Sequence, residues 1–141
     1  MKTLSLIEKA FFLKKLKLFN ELDLDLLLAV ADKLHHDEYE QNERIFAYNQ
    51  TANRIYFIVQ GSIKIFDKDM RFLATLTNGD YFGDESIFNE QSRNYTAICK
   101  TDSLLLTLSK SHFLSMISES PSIAVALLQI YAQQLPCRIK P

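Results

Sequence analysis

The spacing of apolar residues changes twice along this chain, from helical at the beginning to strand-like in the middle and back to helical at the end. Residues 5–19 have apolar positions three and four apart, which predicts a first helix. A second helix is predicted from Asp23, whose carboxylate makes a favourable N-cap, to about Leu34. The first part of the chain, about 5–34, is therefore predicted to be helical.

The middle of the chain, about 35–108, is made of short runs of β-branched and aromatic residues separated by turn residues. Predicted strands include 38–39, 44–48, 54–59, 62–66, 72–76, 95–100 and 104–108. Asn42 and Asn49 lie in two of the turns, and asparagine tolerates a positive φ. About seven or eight strands of this length and spacing favour a barrel, jelly roll or sandwich over a parallel sheet.

Helical spacing returns at about 109–135. Ser109 is predicted to cap a helix that stops before Pro121, and proline is well suited to the first position of the next helix. That last helix is apolar on more than one face. It is therefore predicted to pack on two surfaces, or on one surface and a ligand or second subunit.

Composition places the chain among single-domain proteins with an ordinary core. The chain has 141 residues, of which 48% are hydrophobic and 23% charged. A net charge of −1 argues against a non-specific nucleic-acid binder, which would carry a basic excess. No apolar run approaches the ~20 residues that span a bilayer, and two cysteines, Cys99 and Cys137, make no disulfide framework. We expect a cytoplasmic protein without a membrane span.

The motifs of common enzymes and metal proteins are not matched. His35-His36-Asp37-Glu38 contains metal-ligand residue types, but His112 is predicted at the start of a helix and supplies no second ligand. The adjacent carboxylates Asp84 and Glu85 have no nucleophile or metal ligand near them in the sequence. We expect no enzymatic activity, no catalytic residue, no metal and no cofactor.

One stretch, 81–97, has a composition suited to anion binding. It holds Gly83, the carboxylates of Asp84 and Glu85, and a single arginine, Arg93, flanked by small polar residues. A glycine loop with free backbone N–H groups and one arginine can hold one phosphate-sized anion. We call residues 81–97 the cassette.

The cassette resembles the phosphate-binding cassette of the cyclic nucleotide-binding domain family, which includes catabolite-activator-like regulators, protein kinase A regulatory subunits and cyclic nucleotide-gated channels. The family's motif reads Phe-Gly-Glu-Leu-Ala-Leu, then Pro-Arg-Ala-Ala-Thr; residues 82–87 match its first half and 92–96 its second. The resemblance extends over about 8–135. It implies one α+β, mainly β domain over 1–141: an eight-stranded antiparallel jelly-roll β-barrel flanked by N-terminal helices and two C-terminal helices.

The resemblance also implies a role for each cassette residue. Arg93 would pair with the cyclic phosphate, and Asn94, Gly83 and Ser86 would offer it backbone N–H groups. Asp84 would bind the ribose 2′-hydroxyl. The predicted ligand-binding residues are Phe82, Gly83, Asp84, Glu85, Ser86, Arg93, Asn94 and Tyr95.

Two functions are consistent with this sequence. The first is a regulatory sensor that binds cAMP or cGMP and passes a movement of its C-terminal helices to a protein partner or fused domain. The second follows from three departures from the motif: Asp84 is shorter than glutamate, Glu85 adds a negative charge, and Tyr95 replaces a small residue. A degenerate fold of this kind would be a protein-interaction or assembly module, with a possible homodimer through the last helix. With no helix-turn-helix after the last helix, we expect no direct nucleic-acid binding.

Overall fold

The computed structural model describes residues 3–134, so residue 135, the predicted end of the last helix, and Cys137 lie outside it. The chain forms two compact units, one of Leu34–His112 and one that joins Leu4–Lys33 to the chain from Phe113 onward. The elements are α1 (Leu6–Lys14), α2 (Leu24–Asp32), β1 (His35–Tyr39), β2 (Arg44–Phe46), β3 (Arg54–Gln60), β4 (Ile63–Phe66), β5 (Phe72–Leu76), β6 (Tyr81–Phe82), α3 (Asp84–Phe88), β7 (Thr96–Cys99), β8 (Ser103–Ser109), α4 (Lys110–Glu119) and α5 (Pro121–Gln134).

The eight strands of the first unit form two four-stranded sheets. Their orders are β1-β8-β3-β6 and β2-β7-β4-β5, and every neighbouring pair is antiparallel. The longest strands, β3 and β8, pair along their length at the centre of the first sheet. The predicted α+β, mainly β jelly-roll architecture is confirmed.

The core of this unit follows the strand patterns. β8 is buried on both faces along almost its whole length, as a central strand covered on both sides must be, whereas most of the edge strand β5 is exposed. Cys99 is buried and carries a free thiol, so it acts as a small core residue. Asn42 and Asn49 have φ values of 70° and 71°, which confirms that asparagine supplies the positive φ in these turns.

The second helix begins at its predicted cap, whereas the first helix is shorter than predicted. Asp23 caps α2 through its carboxylate, as predicted, by accepting the N–H of Leu26 at 2.9 Å. The predicted helix over 5–19 is too long, because α1 ends at Lys14 and the chain continues in tight turns. These turns allow residues on different sides of a continuous helix to be buried together: Leu16, Leu18 and Phe19.

The C-terminal helices begin where the sequence predicted. The Ser109 hydroxyl accepts the N–H of His112 at 3.1 Å, and Pro121 is the first residue of α5. One face of α5 is buried through Ile123, Leu127 and Ile130, while Val125 and Leu128 on other faces are 54% and 69% exposed. Within residues 3–134 no single helix meets the length and hydropathy needed to cross a membrane; α4 and α5 do so only as a pair, bent by 112°.

Candidate functional site

The cassette begins in β6, the edge strand of one sheet, and ends in β7, a strand of the other sheet. β6 leads into Gly83, which has a φ of 83° and precedes the short helix α3. A Cβ on Gly83 would lie 2.9 Å from Nη1 of Arg93 and 3.2 Å from Cδ2 of Tyr56. Both the backbone conformation and the close approach of these two side chains therefore require glycine here.

Arg93 is buried in the cassette, with only 3% of its surface exposed. Its Nη1 donates to the carbonyl of Gly83 and its Nη2 to the carbonyl of Arg54, both at 2.6 Å. The backbone of Arg93 is held as well, because its N–H donates to the carbonyl of Gln50 and its carbonyl accepts the N–H of Asn49. The planar guanidinium is thus fixed by two carbonyls, one in the cassette and one at the start of β3.

The surroundings of the Arg93 guanidinium are only partly polar. Its Cζ lies 4.2 Å from the ring centroid of Phe46, a cation–π contact. Its Nε is buried and has no hydrogen-bond partner among the described residues. Burial lowers the pKa of Arg93 from its ordinary value. The positive charge is therefore held directly by carbonyl dipoles and an aromatic face, while the acidic side chains of Glu85 and Asp84 also act on it.

Four aromatic rings fill the space between the sheets next to Arg93. The ring of Phe46 lies 5.7 Å from Tyr56, 5.9 Å from Phe82 and 5.3 Å from Tyr95, measured between centroids. The rings of Tyr56 and Phe82 are stacked at 5.1 Å. These distances are those of favourable aromatic packing, so the rings form one continuous apolar wall.

The hydroxyl of Tyr95 lies inside the cassette. It accepts the N–H of Gly83 at 2.8 Å and donates to the carboxylate of Glu85, with its two oxygens at 3.3 and 3.2 Å. Burial, followed by the negative charge of Glu85, raises the pKa of Tyr95. The hydroxyl therefore keeps its proton and links the Gly83 backbone to the Glu85 carboxylate.

The predicted ligand residues differ in their exposure to solvent. Asp84 is 6% exposed, whereas Asn94 and Glu85 are exposed. Ser86 is buried, and its hydroxyl lies 3.4 Å from the carbonyl of Ser92. Hydrogen bonds join Gly83, Glu85, Arg93 and Tyr95 into one network. Phe82 contributes one of the four rings.

Three contributors to the site were not predicted. Phe46 and Tyr56 come from β2 and β3, which the sequence predicted as strands without indicating that they meet the cassette. The carbonyl of Arg54 is a backbone group, which has no signature in a sequence. Among the described residues, no group of three or more histidine, cysteine, aspartate or glutamate side chains is placed to hold a metal ion.

Glu85 makes the stability of the domain depend on pH. Its carboxylate is partly dehydrated and lies near Asp84, and these two effects, burial first, raise its pKa above the ordinary 4.5. The folded state therefore binds the Glu85 proton more tightly than the unfolded state does. The stabilisation that results is complete at pH values below the ordinary pKa, and it is lost as the pH rises through the raised pKa of the folded state. We expect Glu85→Gln to be more stable than wild type at pH ~7 and the difference to vanish near pH ~4.

Urea unfolding at both pH values measures this difference. Because Glu85 is exposed as a whole residue, we expect the gain at neutral pH to stay below ~1 kcal/mol. Glu119→Gln, at another exposed glutamate, is the matched control and should show no such trend. An advantage of Glu85→Gln that grows as pH falls would contradict the raised pKa.

Comparisons with known proteins find a matching family, related sequences and a related fold. The family described as Cyclic nucleotide-binding domain matches residues 36–120. The cAMP-dependent protein kinase regulatory subunit of Debaryomyces hansenii is 28% identical over 112 residues, which cover 79% of this chain and 25% of that protein. The Cyclic AMP receptor protein of Thermus thermophilus is 29% identical over 101 residues, covering 69% of this chain and 47% of that protein.

Among solved structures, the regulatory subunit of a cAMP-independent protein kinase A from Trypanosoma brucei has the same fold. The TM-score is 0.78 at 23% identity, over 94% of this chain and 48% of that one. The chain thus spans between a quarter and a half of the length of these three proteins.

Proposed function

This chain belongs to the cyclic nucleotide-binding domain family, and we propose that it is a regulatory sensor that binds a cyclic nucleotide with Arg93 as the phosphate anchor. The observation that carries this proposal is a buried guanidinium held by two uncharged carbonyls. A buried charge is stabilised best by an opposite charge with good hydrogen-bond geometry. A cyclic phosphate offers one negative charge and oxygens that suit the guanidinium fork.

Binding requires an exchange of partners inside the cassette. Arg93 would release the carbonyls of Gly83 and Arg54 and take phosphate oxygens, while Tyr95 would leave the N–H of Gly83. The buried Asp84 would accept a hydrogen bond from the ribose 2′-hydroxyl, and this contact favours ribose over deoxyribose.

Such a sensor would transmit ligand binding through a movement of α4 and α5, the helices that follow β8. α4 and α5 meet at a sharp break between Glu119 and Pro121, where the chain bends by 112°. We place the moving joint at this break, since a hinge needs only a few residues that absorb a backbone change. The relatives are named as a kinase regulatory subunit and a receptor protein, which supports a regulatory, non-catalytic role and a protein partner or fused effector domain.

A second candidate function is favoured by the Tyr95 contacts. Because Tyr95 and the aromatic rings close the cassette with the chain's own side chains, the domain would serve as a ligand-independent interaction module. The Trypanosoma brucei protein of the same fold is named as cAMP-independent, which makes this function worth testing beside the first.

Isothermal titration calorimetry with cAMP and cGMP tests the sensor function. We expect saturable binding by wild type and at least ~10-fold weaker binding by Arg93→Lys, because lysine cannot replace the bidentate fork. Arg54→Lys is the matched control, since it changes an exposed side chain and keeps the backbone carbonyl that Arg93 uses. No heat with either nucleotide at ~1 mM would overturn the sensor function and favour the ligand-independent module.

A further inference from the structure

We infer that Tyr95 is an internal competitor for the ligand's phosphate: its hydroxyl, held by Glu85, occupies the Gly83 N–H of the cassette and thereby sets the affinity for cyclic nucleotides. This inference rests on the proposed nucleotide-binding role of the cassette and adds the residue that controls it. The position of Tyr95 is one where the motif has a small residue, so the competing group is a property of this chain.

Tyr95 is held in place from two sides. Its hydroxyl makes one bond to the Gly83 N–H at 2.8 Å and a second to the Glu85 carboxylate at 3.2 Å. Its ring packs against Phe46 at a centroid distance of 5.3 Å. A side chain that is hydrogen-bonded at its tip and packed along its ring has few competing rotamers, so the hydroxyl is preorganised in the cassette.

Gly83 connects Tyr95 to Arg93. The N–H of Gly83 is bonded to the Tyr95 hydroxyl, and its carbonyl to the Arg93 guanidinium. Phe46 contacts both side chains as well, through its ring contact with Tyr95 and its cation–π contact with Arg93. The groups that would bind a phosphate are therefore already paired with each other, and moving one of them disturbs the other.

The charges near the cassette favour a neutral hydroxyl over an anion. The acidic side chains of Asp84 and Glu85 lie close enough to Arg93 to act on its charge. A hydroxyl placed among them introduces no charge, and it donates its proton to Glu85. An incoming phosphate would instead meet an unfavourable interaction with the Glu85 carboxylate, which the present arrangement avoids.

The size of the effect follows from the fraction of molecules in which Tyr95 has moved out. If the open form amounts to about 1 to 10% of the population, the apparent affinity for a cyclic nucleotide is reduced about 100-fold to 10-fold. Tyr95→Ala removes the competitor and the Phe46 contact, so we expect cAMP to bind at least ~10-fold more tightly than to wild type.

Calorimetry with cAMP and with adenosine, which lacks the phosphate, distinguishes competition for the phosphate position from simple enlargement of the pocket. We expect Tyr95→Ala to raise the affinity for cAMP at least ~10-fold more than the affinity for adenosine. Tyr95→Phe keeps the ring and frees the Gly83 N–H, so it should bind cAMP several-fold more tightly than wild type, about the effect of one hydrogen bond. Circular dichroism checks that Tyr95→Ala folds. If it does not, Tyr95→Phe alone provides the test.

Tyr39→Ala is the control for loss of a ring. Tyr39 is partly buried against the core that includes Phe46, Tyr56 and Phe82, but the Gly83 N–H is bonded to Tyr95 and not to Tyr39. Its removal should therefore change cAMP affinity by less than about twofold.

The other possible results of these titrations each support or overturn the inference about Tyr95. Equal affinity of wild type and Tyr95→Ala for cAMP overturns the inference and leaves the sensor function intact. Equal gains for cAMP and adenosine, or no gain in Tyr95→Phe, overturn it too, because the hydroxyl would then not be the competitor. Binding to Tyr95→Ala but not to wild type supports the inference and overturns nucleotide sensing by the native chain. No binding by any variant overturns both.

Discussion

Replacing Arg93 by alanine lowers the free energy of unfolding by about 2 to 4 kcal/mol, because it leaves two carbonyls without their donor and removes the cation–π contact with Phe46. The carbonyls belong to Gly83 and Arg54, which are 29 residues apart in the sequence. The loss is not larger because burial of the guanidinium is itself unfavourable, as the lowered pKa of Arg93 indicates. Urea unfolding at neutral pH, with a constant m-value, measures this change.

Arg54→Ala is the matched control for Arg93→Ala. The Arg54 side chain is 48% exposed, and its ion pair with Asp37 spans 3.4 Å, so we expect a change below ~1 kcal/mol. Its carbonyl, which accepts from Arg93, is retained. If Arg93→Ala destabilises no more than Arg54→Ala, then the guanidinium does not hold the turn together, and its burial would have to be explained by ligand binding alone.

Gly61→Ala is expected to lower the free energy of unfolding by about 3 to 5 kcal/mol, combining backbone strain with a collision. Gly61 has a φ of 122°, and a Cβ on it would lie 2.7 Å from the Cβ and 2.9 Å from the Cα of Ser103. Ser103 is fully buried at the start of β8, so its backbone cannot move aside without disturbing the central strand of the sheet. Thermal or urea unfolding reports the loss.

Gly79→Ala separates the cost of backbone strain from the cost of the collision with Ser103. Gly79 also has a positive φ, 88°, but a Cβ there meets no atom within 4 Å, so only the ~1 to 2 kcal/mol of backbone strain applies. In the double variant Gly61→Ala/Ser103→Gly, the side-chain part of the collision is relieved, and the coupling between the two sites should be favourable. Equal losses for Gly61→Ala and Gly79→Ala would contradict a collision at Ser103.

The pattern of the sequence predicted the elements well wherever a local rule applied. The caps at Asp23 and Ser109, the start of α5 at Pro121 and the positive φ values of Asn42 and Asn49 all depend on neighbouring residues, and all are confirmed. These features are encoded within a few residues, so a single sequence is sufficient to find them.

The prediction for 5–19 was wrong because a helical spacing of apolar residues does not say where burial ends. Leu16, Leu18 and Phe19 are all buried, and a continuous helix would have placed them on different sides. All three side chains are buried because the helix ends at Lys14 and the chain continues in turns. The Lys14 ammonium group donates to the carbonyls of Asn20 and Leu22 in these turns. This outcome depends on packing with residues distant in the sequence.

The sequence by itself determined the family, the order of helices and strands, and the register that places Arg93 ten residues after Gly83 in the cassette. Only the tertiary structure decided what these residues contact: the carbonyls that hold Arg93, and the Gly83 N–H that bonds to Tyr95. The physical reason is that backbone donors and acceptors are the same in nearly every residue, so their partners are chosen by where the chain folds.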